Sequence, residues 1–199
     1  MPTKEQPVAG EEVGSPRLGV LGYALLCLLV RGPGTGYDLA QRLRRPIGYY
    51  WTARHTQIYP ELARLVSAGL VTYQAGAGPG PREKKTYTIA EAGRDALAAW
   101  LVRPPAPREP KDELLLKTYA VAAADPRQMR PVYLAAADES ARRLAEYRRL
   151  LATFVERGAG DPAHPMFGNY ATLRFGVAVE EQREAWCRWM ETMLSEHAS

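Results

Sequence analysis

Cysteine and histidine are scarce in this chain of 199 residues, with two and three copies respectively. Cys27 and Cys187 lie far apart, inside apolar helical patterns. They read as separate buried or half-buried thiols rather than a disulfide framework. His55, His164 and His197 are scattered, and none has metal-ligand spacing to a cysteine or to another histidine. The glycine-rich stretch at 76–80 lacks the Gly-Lys-Ser/Thr ending of a phosphate loop, and no nucleophile–base motif is visible. These absences argue against an enzyme, a metal site or a bound cofactor. Long hydrophobic runs are also missing. The longest, Val20 to Val30, spans about 11 residues, too few to cross a bilayer. Residues 1–16 carry Lys4, Glu5, Glu11 and Glu12 and no apolar block, so they read as a disordered tail and not a secretory signal. A cytoplasmic location is expected.

What is present is ordinary in amount and uneven in placement. Apolar residues make up 46% and charged residues 24%, as in a globular protein. Arg17 to Arg103 holds 12 Lys/Arg against 5 Asp/Glu, a net +7. Arg108 to Ser199 holds 13 against 14, a net −1. The positive field therefore belongs to the first half, and a polyanion is the simplest partner for it. The division falls at Arg103 to Pro110, where four prolines in eight residues forbid helix and central strand. Four segments follow: a tail at 1–16, a domain at 17–102, a linker at 103–110 and a domain at 111–199.

Helical spacing and turn residues outline the first domain. An apolar helix over Leu18 to Arg31 stops at Gly32-Pro33. A short helix covers Gly36 to Arg44. A connection with Tyr49, Tyr50 and Trp51, aromatics expected to staple it to the core rather than to stack on a partner, leads to a helix from Thr52, its N-cap, to Ala68. Ile58, Leu62, Leu65 and Val66 form that helix's buried stripe, and Gly69 ends it. Leu70 to Gln74 and Lys84 to Ile89 alternate as strands around a Gly/Pro-rich loop, which predicts a projecting wing. Ala90 to Leu101 is helical again. The order is that of a winged helix-turn-helix, in which the third helix enters the major groove of DNA.

The second domain reads as all helix: Asp112 to Ala123, a long helix restarted by Asp125-Pro126, and a last helix from Met166 to Glu196. The long helix carries Tyr133, Ala137, Ser140, Leu144, Tyr147, Leu151 and Phe154 in alternating steps of four and three. The last carries Phe175, Val179, Gln182, Trp186, Trp189 and Met193 in the same way. One short and two long helices cannot close a large core, so an arrangement shared between two subunits is expected, against an intramolecular bundle in a monomer. Leu144, Tyr147, Leu151, Phe154, Phe175, Val179 and Trp186 are its expected contacts. The fold class is thus mainly α with a small two-stranded β wing.

The first domain resembles the PadR-type transcriptional regulators. The resemblance rests on Leu28 to Pro33, Gly36-Tyr37-Asp38-Leu39, Gln57 to Leu65, Gly69-Leu70-Val71, Lys85 to Ile89 and Glu91 to Arg94. The second domain looks like the helical region of the longer members, on Glu113 to Lys117 and Glu184-Ala185-Trp186. One departure is Thr35, where members often have histidine. The resemblance also implies that Pro60 lies inside the recognition helix, although propensity alone would start the helix there.

The residues expected to meet DNA are Tyr37, Arg54, His55, Thr56, Gln57, Tyr59, Arg64, Arg82, Lys84 and Lys85. Gln57 suits adenine and Arg54 guanine. Tyr59 reaches a phosphate by the resemblance. Arg82, Lys84 and Lys85 flank the wing, with the two lysines on opposite strand faces. Trp100, Trp186 and Trp189 are candidates to line a flat site for a small-molecule inducer, against a plain core role. The expectation is a dimeric, ligand-responsive repressor on a palindromic site. The competing reading is a winged helix that binds protein instead.

Overall fold

The computed structural model describes residues 18–44, 55–76, 84–107 and 112–196. The tail, the 45–54 connection with its aromatics and Thr52 cap, the tip of the wing and the end of the linker lie outside these residues. The chain divides into two compact units, Met1–Pro105 and Ala106–Ser199.

The first unit runs α1 (Val20–Leu29), β1 (Gly34–Thr35), α2 (Gly36–Arg44), α3 (His55–Ser67), β2 (Val71–Gly76), β3 (Lys84–Ile89) and α4 (Glu91–Leu101). α1 is apolar nearly all round, and it is the hub of the core for that reason. Leu25, Leu26 and Leu29 of α1 meet Leu39 of α2 and Ile58, Leu62 and Leu65 of α3, all fully buried. Gly69, at φ +69°, ends α3 with the paired bonds of a Schellman motif: its N–H donates to Val66 O, and Leu70 N–H donates to Leu65 O.

The sheet has three strands, not the expected two, in the order β1-β3-β2. β2 and β3 form the antiparallel hairpin, with Tyr73 opposite Tyr87 and Ala75 opposite Lys85. β1 adds Gly34 opposite Tyr87 and Thr35 opposite Thr86. A two-residue strand has no periodicity to read, which is why sequence patterning passes over it. α4 closes the unit. Gly93 packs so tightly on the backbone just before β2 that a Cβ there would lie 2.2 Å from the Leu70 carbonyl oxygen.

The second unit runs α5 (Glu113–Tyr119), a 3-10 turn (Val121–Ala123), α6 (Pro126–Glu156) and α7 (Phe167–Glu196). The helix expected over 112–123 is thus broken at Ala120. Asp112 caps α5 through Leu114 and Leu115 N–H, and Asp125 caps α6 through Arg127 N–H with Pro126 in the first turn. α6 and α7 pack against each other along most of their length.

The α6 stripe is where expectation and structure part. Tyr133, Ala137, Ser140, Leu144 and Tyr147 are buried, but within one chain. They face Leu173, Gly176, Glu180, Cys187, Met190 and Leu194 of α7. Leu144 and Tyr147, expected at a subunit contact, are therefore already covered. Leu151 and Phe154 are half-buried. The aromatic stripe of α7 is a different face: Phe175, Val179 and Trp189 are 54%, 39% and 54% exposed, and Trp186 is half-buried.

Candidate nucleic-acid interface

The start of α2 is built by Thr35 and Asp38, three residues apart. The Thr35 hydroxyl accepts from Asp38 N–H at 3.2 Å. Asp38 Oδ2 accepts from Thr35 N–H at 3.0 Å and from the Thr35 hydroxyl at 2.8 Å. This reciprocal arrangement is a capping box with an aspartate in the acceptor role. The Thr35 N–H and then its hydroxyl hold the Asp38 carboxyl below its ordinary value, with Lys84 and Arg42 adding to the effect. The T-x-x-D spacing was visible in the sequence; its role at the interface was not assigned there.

Two phenols stand beside this helix start. Tyr37 is 60% exposed, and its hydroxyl accepts from the Gln41 amide at 3.0 Å. Tyr59 of α3 is 48% exposed, and its ring lies directly on Gly36. A Cβ at Gly36 would come within 2.5 Å of Tyr59 Cε1. Glycine here is what allows α3 to lay an aromatic ring across the first turn of α2.

The hairpin continues the same surface. Tyr73 and Tyr87 rings sit 6.0 Å apart, and the Lys85 ammonium stands 4.4 Å over the Tyr73 ring. Burial pushes the Tyr87 phenol up, Lys85 opposes this, and Tyr59 and Tyr73 are close enough to add to it. Tyr59, Tyr73 and Lys85 thus stand exposed around the buried Tyr87, from α3 to the wing. Lys84 lies on the opposite strand face, as alternation requires, and is exposed.

The remaining expected contacts are distributed differently. Gln57 is exposed on α3. His55 and Thr56 lie in the first turn of α3, with side chains outside the described residues, as are Arg54 and Arg82 entirely. Arg64 belongs to the last turn of α3, not to the N-terminal part where base readout was expected. Its guanidinium lies 3.4 Å from Glu61 Oε1, and Glu61 is tucked against Gly22 of α1. The arginine is thereby held toward the side of the helix.

Trp100 belongs to the first unit, and Trp186 and Trp189 to the second. Trp100 stacks flat on Tyr23 at 4.5 Å, which occupies one face of its indole. Trp186 meets Tyr133 edge-on at 5.9 Å in the second unit. It borders an open groove of about 430 Å³ with Leu115, Val179, Gln182 and the Arg183–Asp112 ion pair. The described residues contain no cluster of metal-ligating side chains and no helix long and apolar enough to cross a membrane.

Comparison with known proteins fits this geometry. Residues 25–99 match the family described as Transcriptional regulator PadR-like, and residues 110–195 match Virulence activator alpha C-term. The negative transcriptional regulator PadR of Bacillus subtilis is 31% identical over 181 residues, spanning 88% of this chain and 96% of that protein. The crystal structure of B. subtilis PadR in complex with operator DNA superposes with a TM-score of 0.80 at 29% identity, over 88% of this chain and 99% of that one. The same protein in complex with p-coumaric acid gives 0.72 at 29% identity, over 89% and 99%. The chain belongs to the PadR-like family of transcriptional regulators.

Proposed function

We propose that this protein is a cytoplasmic, dimeric, ligand-responsive repressor that acts by binding duplex DNA and carries out no catalysis. The carrying observation lies on the first unit. The capped start of α2 with Tyr37 and Tyr59, and the exposed Tyr73 and Lys85 of the hairpin, lie in the half of the chain that carries a net +7. In this reading residues 17–102 bind DNA, 103–110 link and 111–199 dimerise. α3 lies in the major groove. The amides of α2, the tyrosine hydroxyls and the wing lysines hold phosphates. Arg54, His55, Thr56 and Gln57 meet base edges, and Arg82 supports the wing. Phe175, Val179 and Trp186 pair with a second copy. Two recognition helices then reach half-sites about 34–36 Å apart.

A small planar ligand shifts the relation between the DNA-binding units and weakens the complex. B. subtilis PadR was crystallised with operator DNA and with p-coumaric acid, which supports both halves of the proposal. Fluorescence anisotropy of the labelled upstream region of the protein's own gene tests it, at two salt concentrations and against random competitor. Tight, salt-sensitive binding that survives competitor supports the reading, and release by p-coumaric acid supports the switch. Binding that competitor abolishes speaks for a winged helix with a protein partner.

A further inference from the structure

This inference rests on the DNA-binding reading and concerns what α3 can distinguish in the groove. Ile58, Leu62 and Leu65 are its buried meridian. Successive residues turn by about 100°, so Pro60, Ala63 and Ser67 occupy the opposite meridian. All three are exposed. The longer side chains nearby are drawn aside. The Tyr59 ring lies on Gly36 of α2. Arg64 leans to Glu61 at the α1 side, and Gln57 shares that side by its spacing of four and seven from Glu61 and Arg64.

Among the described residues, then, this ridge ends at its C-terminus in the Ser67 hydroxyl, and ahead of that it offers a pyrrolidine ring and a methyl group. Neither can donate or accept a hydrogen bond. Both are small enough for the helix to come close to base edges. The apolar group that the major groove displays is the C5-methyl of thymine. We propose that Pro60 and Ala63 are specificity-determining residues that read thymine methyl groups in each half-site. Their Cα atoms stand about 4.5 Å apart along the axis. Base pairs rise by about 3.4 Å, so the two methyls belong to neighbouring steps.

The test uses the full-length protein. Selection from random duplex DNA gives the preferred half-site, and each thymine in it is then replaced singly by deoxyuridine, which removes only the methyl. Replacement at one or two adjacent positions should weaken binding about fourfold each, the worth of one buried methyl. Ala63→Gly should abolish the uracil penalty at one position, and Pro60→Ala should reduce it at the other. Pro60→Ala removes a mid-helix proline, so its fold is not at risk. Equal affinity for every uracil-substituted duplex overturns the inference, as does an unchanged penalty in both variants. Absence of specific binding to any duplex overturns the DNA-binding reading itself, and this inference with it.

Discussion

A methyl group added at Gly36 would meet the far end of a side chain, the Tyr59 ring, and the ring can swing away. Gly36→Ala should therefore leave the melting temperature within a few degrees of wild type. It should weaken DNA binding several-fold, because the phenol leaves the start of α2. Anisotropy titration beside thermal melting separates the two effects. Asp112 behaves differently. It caps α5 and receives Arg183, whose hydrogen bond holds the carboxyl below its ordinary value. Its contribution to stability is present above about pH 4, the usual carboxylate value. It is lost as pH falls through the lower value of the folded state. Asp112→Ala should cost about 1–2 kcal/mol at neutral pH, the sum of a cap and a surface ion pair. Asp112→Asn, which keeps the cap, should cost less, and urea melts should show both differences shrinking at acid pH. Residues of this kind were unevenly legible. Tyr37 and Tyr59 were picked out in advance. Gly36, Tyr73 and Tyr87 were not, because their importance comes from contacts between elements distant in sequence.

The helices were legible because burial on one side leaves a 3.6-residue pattern. β1 was not, being two residues long. α7 shows a subtler limit. The stripe of Phe175, Val179, Trp186 and Trp189 is the more apolar one on paper, yet the buried face includes Gly176 and Glu180. Glu180 is tolerated there because Arg143 of α6 reaches it with two bonds, Nε to Oε1 at 2.9 Å and Nη2 to Oε2 at 3.1 Å. A partner's charge cannot be seen from one helix's sequence. Arg143→Ala strands a largely buried carboxylate and should destabilise the second unit by about 2–4 kcal/mol. The paired change Arg143→Met with Glu180→Leu should recover most of that loss in urea denaturation.

At the scale of the whole molecule, the uneven charge was plain in the sequence, since it needs only counting. Two long apolar stripes were visible in the sequence, but not which of them the chain covers by itself. With the α6 stripe covered, Phe175, Val179, Trp189 and Met193 remain the exposed large apolar side chains on α7. Val179→Glu should convert a dimer to a monomer by light scattering while helicity by circular dichroism is retained. Within the first unit, Thr35 holds two posts at once: it caps α2, and it is the strand partner of Thr86 in the wing. Helix and hairpin therefore cannot open separately. Amide exchange at the root of the wing and in the first turns of α2 should share a single opening free energy. A substitution at Thr86 should then be felt as faster exchange at Leu39 and Ala40.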